Sequence, residues 1–149
     1  GEVLVKRCHE EEIPVTSLPG CCALITALTL SGLSTRRFCF EGFLPQKKGR
    51  QKKLSALAEE NRTMIFYESP FRLVKALEQM AEVFGPTRHA CVAREISKMF
   101  EEFKRGTLEE LAGWYKQNGV KGEIVLIVAG KDYNLAEEEG LHIEIEEEE

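Results

Sequence analysis

The stretch Thr63-Met64-Ile65-Phe66-Tyr67-Glu68-Ser69-Pro70-Phe71-Arg72 constrains the fold of this chain more than any other. Its apolar start is short and reads as a buried strand. Ser69-Pro70 then offers an N-cap and a first helical residue for the segment that follows. A polar cluster of Tyr67, Glu68, Ser69 and Arg72 therefore stands where a central strand ends and a helix begins. Open α/β sheets bind their ligands at that edge. The plainer reading of the same residues is an N-cap with a Glu–Arg pair.

The rest of the chain supports an α/β reading. Residues 2–11 read as the end of a helix with Val3, Leu4 and Cys8 on one face, and no start signal precedes them, so the chain is expected to begin mid-element. Ile13 to Leu18 reads as a strand, with Pro14 placing it early or on an edge. Pro19-Gly20 breaks it, and Cys21 to Leu30 reads as a helix ending at Ser31-Gly32. Phe38 to Leu44 is a strand, 45–53 a basic loop, and Leu54 to Glu60 a helix. After the strand at 63–67, Leu73, Leu77, Met80 and Val83 or Phe84 recur at helical spacing over about 70–84, and Gly85-Pro86 ends the helix. His89 to Ala93 and Phe100 to Arg105 read as strands, Thr107-Leu108-Glu109-Glu110 as a capping box, and Glu123 to Ala129 as a buried strand. Strands alternating with helices predict an α/β domain with a mixed sheet over residues 1–130.

Charge divides the chain in two. The formal net charge is −5, yet residues 137–149 hold eight glutamates and no Lys or Arg, so the body before them is mildly basic. Residues 131–149 are expected to be an acidic tail, either solvated and disordered or, at Leu141 to Ile145, a short edge strand. No apolar run approaches the roughly 18 residues of a membrane span. Five cysteines without a CxxC spacing argue against a disulfide framework or a zinc site and suit a reducing cytoplasm.

Four segments could carry chemistry. Leu18-Pro19-Gly20-Cys21-Cys22-Ala23 leads from a turn into a helix of small residues, whose first N–H groups can hold a polar ligand group; a tight connection is the plainer reading. In Pro45-Gln46-Lys47-Lys48-Gly49-Arg50-Gln51-Lys52-Lys53 five of nine residues are basic, which suits phosphate backbones or simply a solvated loop. The third is the Tyr67 to Arg72 cluster. The fourth, Ala93-Arg94-Glu95-Ile96-Ser97-Lys98, crowds charges at a strand end and could equally be a surface ion-pair network. The three scattered histidines point to no metal, and no Walker loop or GxGxxG occurs.

Taken in order, Leu18-Pro19-Gly20-x-x-Ala23-Leu24, Ser31-Gly32-Leu33, Phe40-Glu41-Gly42-Phe43-Leu44-Pro45, Tyr67-Glu68-Ser69-Pro70-x-Arg72, Ala93-Arg94-Glu95-x-x-Lys98, Arg105-Gly106-Thr107 and Lys121-Gly122-Glu123-Ile124-Val125 form a joint pattern. It resembles the C-terminal half of the small-subunit ribosomal RNA (cytidine-2′-O)-methyltransferases of the tetrapyrrole (corrin/porphyrin) methylase superfamily. The resemblance implies two α/β domains with S-adenosylmethionine between them, a homodimer, and an N-terminal domain that this chain lacks. It implies methyl transfer to a ribose 2′-oxygen of small-subunit ribosomal RNA, with half of the cofactor site here and no metal. Pro19, Gly20, Cys22, Ala23, Tyr67, Ile124 and Val125 would line the cofactor. Cys22 stands where the family usually has Ser, which would cost a hydroxyl contact. Glu68 and Glu95 are the candidates for the base or for orienting the substrate. Lys47, Lys48, Arg50, Lys52 and Lys53 would meet RNA phosphates, and Arg72, Arg94 and Lys98 phosphates near the target. A tetrapyrrole precursor methylase and a non-catalytic RNA-binding or dimerisation module are the competing readings.

Overall fold

The computed structural model describes residues 1–133; the expected acidic tail lies outside the described residues from 134 onward. Five strands, β1 (Phe38–Gly42), β2 (Thr63–Glu68), β3 (His89–Arg94), β4 (Glu102–Thr107) and β5 (Ile124–Val128), form one sheet in the order β1-β2-β5-β3-β4. β1 and β2 are parallel, while β5 runs antiparallel to both β2 and β3, and β4 antiparallel to β3. The sheet is mixed, as the sequence predicts.

Both faces of the central strands are covered, which is why their sequences are apolar throughout rather than alternating. Met64, Phe66, Val92, Ile124, Leu126 and Val128 face a core shared with α3 (Arg50–Leu57), α4 (Leu73–Phe84) and α5 (Leu108–Asn118). Ile65, Cys91, Ala93, Val125 and Ile127 face the other way, onto Ala27 and Leu28 of α2 (Ala23–Leu30). Truncating a residue sealed this well, such as Phe66, costs about 3–5 kcal/mol. Arg105 of β4 fastens α2 to the sheet by donating to the carbonyls of Leu30 and Ser31. The capping box forms as expected: the Thr107 hydroxyl accepts the Glu110 N–H, and the Glu110 carboxylate accepts the Thr107 N–H.

The main departures from the sequence reading lie at three boundaries. Residues 13–18 form no strand: they are exposed, no neighbouring strand among the described residues completes a ladder, and Pro14 and Pro19 remove two donors. The first helix, α1 (Glu2–Glu10), forms, but none of its residues is buried, Val3 and Leu4 included. α3 starts at Arg50, inside the basic run, because Gly49 at φ 85° turns the chain and its carbonyl accepts the Lys53 N–H. α4 starts at Leu73, with Arg72 rather than Ser69 as its N-cap. The Ser69 N–H is already engaged by the Glu68 carboxylate, and the Ser69 carbonyl accepts the Arg72 N–H in a separate turn.

Candidate functional site

Ile124, the first residue of β5, pairs with Glu68 on one side and Arg94 on the other. The chain therefore leaves β2 and β3 at the same sheet edge, on either side of the start of β5. β1, parallel to β2, ends at that edge as well. A cavity of about 670 Å³ opens there. That size suits a ligand of nucleoside dimensions. Tyr67, Ile124 and Val125 provide its apolar surface, and Cys21, Cys22, Ala23 and Thr26 at the start of α2 close one side. Phe43, Glu68 to Pro70, Ile96-Ser97 and Gly122-Glu123 complete the walls.

Each wall has a local cause. Tyr67 is held by edge-on contacts with Phe40 and Phe43, at centroid distances of 5.0 and 5.8 Å. The start of α2 has Cys22 as an extended N-cap whose side chain caps nothing. Its first N–H groups have no acceptor within the helix and remain open to a polar ligand group. The cavity thus offers apolar surface, helix-start donors and a carboxylate within one space.

That carboxylate is Glu68. Its side chain is only 4% exposed, and its Oε1 accepts both the Ser69 N–H at 2.6 Å and the Arg72 Nε–H at 2.9 Å. Both bonds fall on one oxygen, which leaves Oε2 without a donor among the described residues. The arrangement keeps an acceptor in a nearly dry wall with one lone-pair-bearing atom uncommitted.

Glu95 is built differently. It does not line the cavity. Its Oε1 accepts the Glu123 N–H at 2.7 Å and the Lys98 ammonium at 3.1 Å. The Glu123 N–H, then Lys98, hold its carboxyl below the usual carboxylate range. Lys98 bridges on to Glu123 at 3.0 Å, and the two carboxylates, Glu123 first, raise its own pKa. Glu95 and Ser97 sit at φ 52° and 61°, a left-handed pair that bends the β3–β4 connection round to the wall.

Of the residues singled out from the sequence, Cys22, Ala23, Tyr67, Glu68, Ile124 and Val125 come together in the cavity. Pro19 and Gly20 are exposed and lie outside its lining. Arg94 donates to Glu102 and to the Lys121 carbonyl, bracing the same edge. The basic run divides. Lys47, Lys48 and Lys52 are exposed and unpaired among the described residues, whereas Lys53 pairs with Glu41, and Arg50 is half-buried, donating to Gln79 and the Pro45 carbonyl. The sequence reading did not name Cys21, Thr26, Phe43, Ile96, Ser97, Gly122 or Glu123 as site residues. Gly122, a glycine just before a strand, left a local signal; Phe43, Ile96 and Ser97 are set by tertiary packing.

The family model described as Tetrapyrrole (Corrin/Porphyrin) Methylases matches residues 1–112. Ribosomal RNA small subunit methyltransferase I of Haemophilus influenzae is 50% identical over 134 residues, covering 88% of this chain and 47% of that protein. The protein of the same name from Escherichia coli O157:H7 is 48% identical over 144 residues, covering 95% of this chain and 49% of that protein. The chain thus spans about half the length of these relatives. Among solved structures, a cobalt precorrin-4 methyltransferase of cobalamin biosynthesis superposes with a TM-score of 0.62 at 17% identity, covering 86% of this chain and 56% of that one. Uroporphyrin-III C-methyl transferase from Thermus thermophilus, complexed with S-adenyl homocysteine, gives 0.59 at 20% identity, covering 87% and 58%.

Proposed function

Because the chain belongs to the tetrapyrrole (corrin/porphyrin) methylase family, we propose that it forms one half of an S-adenosylmethionine-dependent methyltransferase acting on small-subunit ribosomal RNA, at the 2′-oxygen of a cytidine ribose. The observation that carries the reading is the cavity itself. It gathers the Tyr67 to Pro70 cluster, the start of α2 and Ile124-Val125 in a chain nearly half identical to ribosomal RNA methyltransferases. The tetrapyrrole methylases share the fold at 17 and 20% identity, and a small-molecule enzyme has less need of the exposed Lys47, Lys48 and Lys52.

S-adenosylmethionine, when bound, supplies a methyl group on a sulfonium. The chain does the rest. Tyr67, Ile124 and Val125 exclude water, and the N–H groups at Cys22 and Ala23 hold the polar end of the ligand. Glu68, through its uncommitted Oε2, takes the proton from the attacking ribose hydroxyl. Glu95 is the positioning partner: it fixes the Glu123 N–H and so the entry of the chain into β5. Arg72 is anchored on Glu68, and Arg94 and Lys98 are paired with Glu102 and Glu95, bracing the same edge.

The cofactor's other contacts belong to the half that the relatives have and this chain does not span, and the assembled protein acts as a homodimer in a reducing cytoplasm. Exposed apolar residues, Val3, Leu4 and Leu18 among them, support a covering partner. The test is a chimaera in which residues 1–130 replace the matching half of the Haemophilus influenzae relative. It is assayed with labelled S-adenosylmethionine on small subunits lacking the modification, with the product mapped by ribose-methylation-sensitive cleavage. Label at one cytidine ribose supports the reading; label on a tetrapyrrole precursor and none on RNA overturns it. Multiple turnovers by residues 1–149 alone would refute the half-site.

A further inference from the structure

Phe71, Met99 and Phe100 are the most conspicuous surface residues left without a role. They are 96%, 90% and 69% exposed. Phe71 follows Ser69-Pro70 on the connection from β2 to α4, and Met99-Phe100 follows Ile96-Ser97 on the connection from β3 to β4. Those two connections are opposite walls of the cavity. They leave the sheet from strands flanking β5, so their roots are two strand spacings apart, about 10 Å. An aromatic residue therefore projects into solvent from each lip of the site.

The charges beside them are spent inside the protein. Arg72 is paired with Glu68, Lys98 with Glu95 and Glu123, and Arg94 with Glu102. Glu101 accepts the Ser97 N–H within the same loop. The lips thus carry little net positive charge and are poor at neutralising phosphate. Lys47 and Lys48, unpaired among the described residues, stand on the connection after β1, which ends at the same edge. Backbone attraction and aromatic surface are separated in space along one edge. A single-stranded nucleic acid fits that division: phosphates at one end and base faces at the other.

We propose that Phe71 and Phe100 stack on unpaired bases of the RNA on either side of the nucleotide entering the cavity, with Met99 extending the apolar lip. The inference rests on the RNA reading above and adds how the target is presented: as an unstacked strand rather than as a duplex. Contact at the lips is by base faces, so its strength does not follow salt.

The test uses residues 1–149 and a single-stranded oligoribonucleotide of about 12 nucleotides carrying 2-aminopurine, beside its duplex. The unaltered chain quenches the fluorophore on the single strand. Phe71→Ala and Phe100→Ala each weaken single-strand binding by about 5- to 100-fold and relieve the quenching. They leave the slope of log K against log salt unchanged, and Phe100→Trp restores binding. Both side chains are exposed, so the variants fold as the parent does, which circular dichroism verifies. If the parent chain binds the strand and both alanine variants bind and quench as it does, the stacking inference is overturned while the RNA reading stands. If the parent chain binds no RNA, the RNA reading falls and the inference with it.

Discussion

Glu95 and Gly122 share one small volume: a Cβ on Gly122 would stand in the Glu95 carboxylate. That carboxylate in turn holds the Glu123 N–H at 2.7 Å, one residue before β5. Gly122 is at φ 90° and Glu95 at φ 52°, so the backbone on both sides of this close approach is left-handed. Gly122→Ala should therefore destabilise the chain by about 1–3 kcal/mol. Part of that loss comes from the backbone and part from displacing Glu95. In a Glu95→Ala background only the backbone part remains, so the two changes are non-additive. Urea melts of the four proteins measure the coupling, and strict additivity would reject the shared volume.

Glu60 sets an acid limit to stability. Its carboxylate accepts the Arg62 Nε–H at 2.8 Å, the second guanidinium nitrogen at 2.7 Å and the Arg62 N–H at 2.9 Å. These bonds, those of the Arg62 side chain first, lower its pKa from 4.5 to about 2. A depressed folded pKa stabilises the charged form. The contribution is complete above pH 4.5 and drains away as pH falls toward 2. Glu60→Gln should flatten that part of the curve of stability against pH and leave its shape above about pH 5 unchanged. Denaturant midpoints of the two proteins across that range decide it.

What the sequence disclosed and what it hid have physical reasons. β2 and β5 were legible because burial on both faces demands a continuous apolar run, and Thr107 to Glu110 because a capping box is a local pattern. The strand expected at 13–18 failed because a strand needs a neighbour, which no window of residues reveals. Six of the cavity's fifteen lining residues were legible as site residues: Tyr67, Glu68, Cys22, Ala23, Ile124 and Val125. Phe43 and Ile96 were not, because they reach the cavity only through the pairing of β1 with β2 and of β3 with β5. Glu68 and Glu95 looked equivalent on paper. The hydrogen bonds separate them, one carboxylate facing the cavity and the other locked to Glu123 and Lys98.

The cysteines should separate by burial. Cys21 and Cys22 are exposed beside the cavity, while burial pushes the Cys91 thiol up to about 11. Burial, reinforced by the Glu41 carboxylate, raises Cys39 to about 11 as well. Thiolate is the reacting species, so at about pH 8 an alkylating reagent should label Cys21 and Cys22 within minutes. Cys91 should react only once urea opens the core, and the half-buried Cys39 at a rate between the two. Peptide mass spectrometry against time reads the order, and early labelling of Cys91 would contradict its burial.

The basic run should also act as two groups. Lys47, Lys48 and Lys52 are free to meet phosphate, whereas Lys53 is paired with Glu41 and Arg50 is tied to Gln79 and Pro45. Replacing the first three with alanine should cut the slope of log K against log salt by up to about 2 on single-stranded RNA, roughly 0.7 for each phosphate no longer neutralised. Lys53→Ala should change the slope little. Arg50→Ala should lower the melting temperature, because it removes bonds that seat α3 against α4. Equal slopes for all variants would place RNA elsewhere on the surface.

Glu68 carries the last prediction, because two of its roles can be pulled apart. Gln at position 68 keeps an acceptor for the Ser69 N–H and for Arg72, so the wall should survive, but it cannot take a proton. In the chimaeric enzyme Glu68→Gln should lower kcat by about 10²- to 10⁴-fold with little change in the KM for RNA. Arg72→Ala leaves the carboxylate in place but removes its orienting bond at 2.9 Å, and should give a smaller loss in kcat. If Glu68 served only to anchor Arg72, the order would reverse: Arg72→Ala would be the more damaging change, and Glu68→Gln would stay within a few-fold of the parent. Steady-state kinetics on the two variants, with melting temperatures to confirm that both are folded, distinguish a base from a bracket.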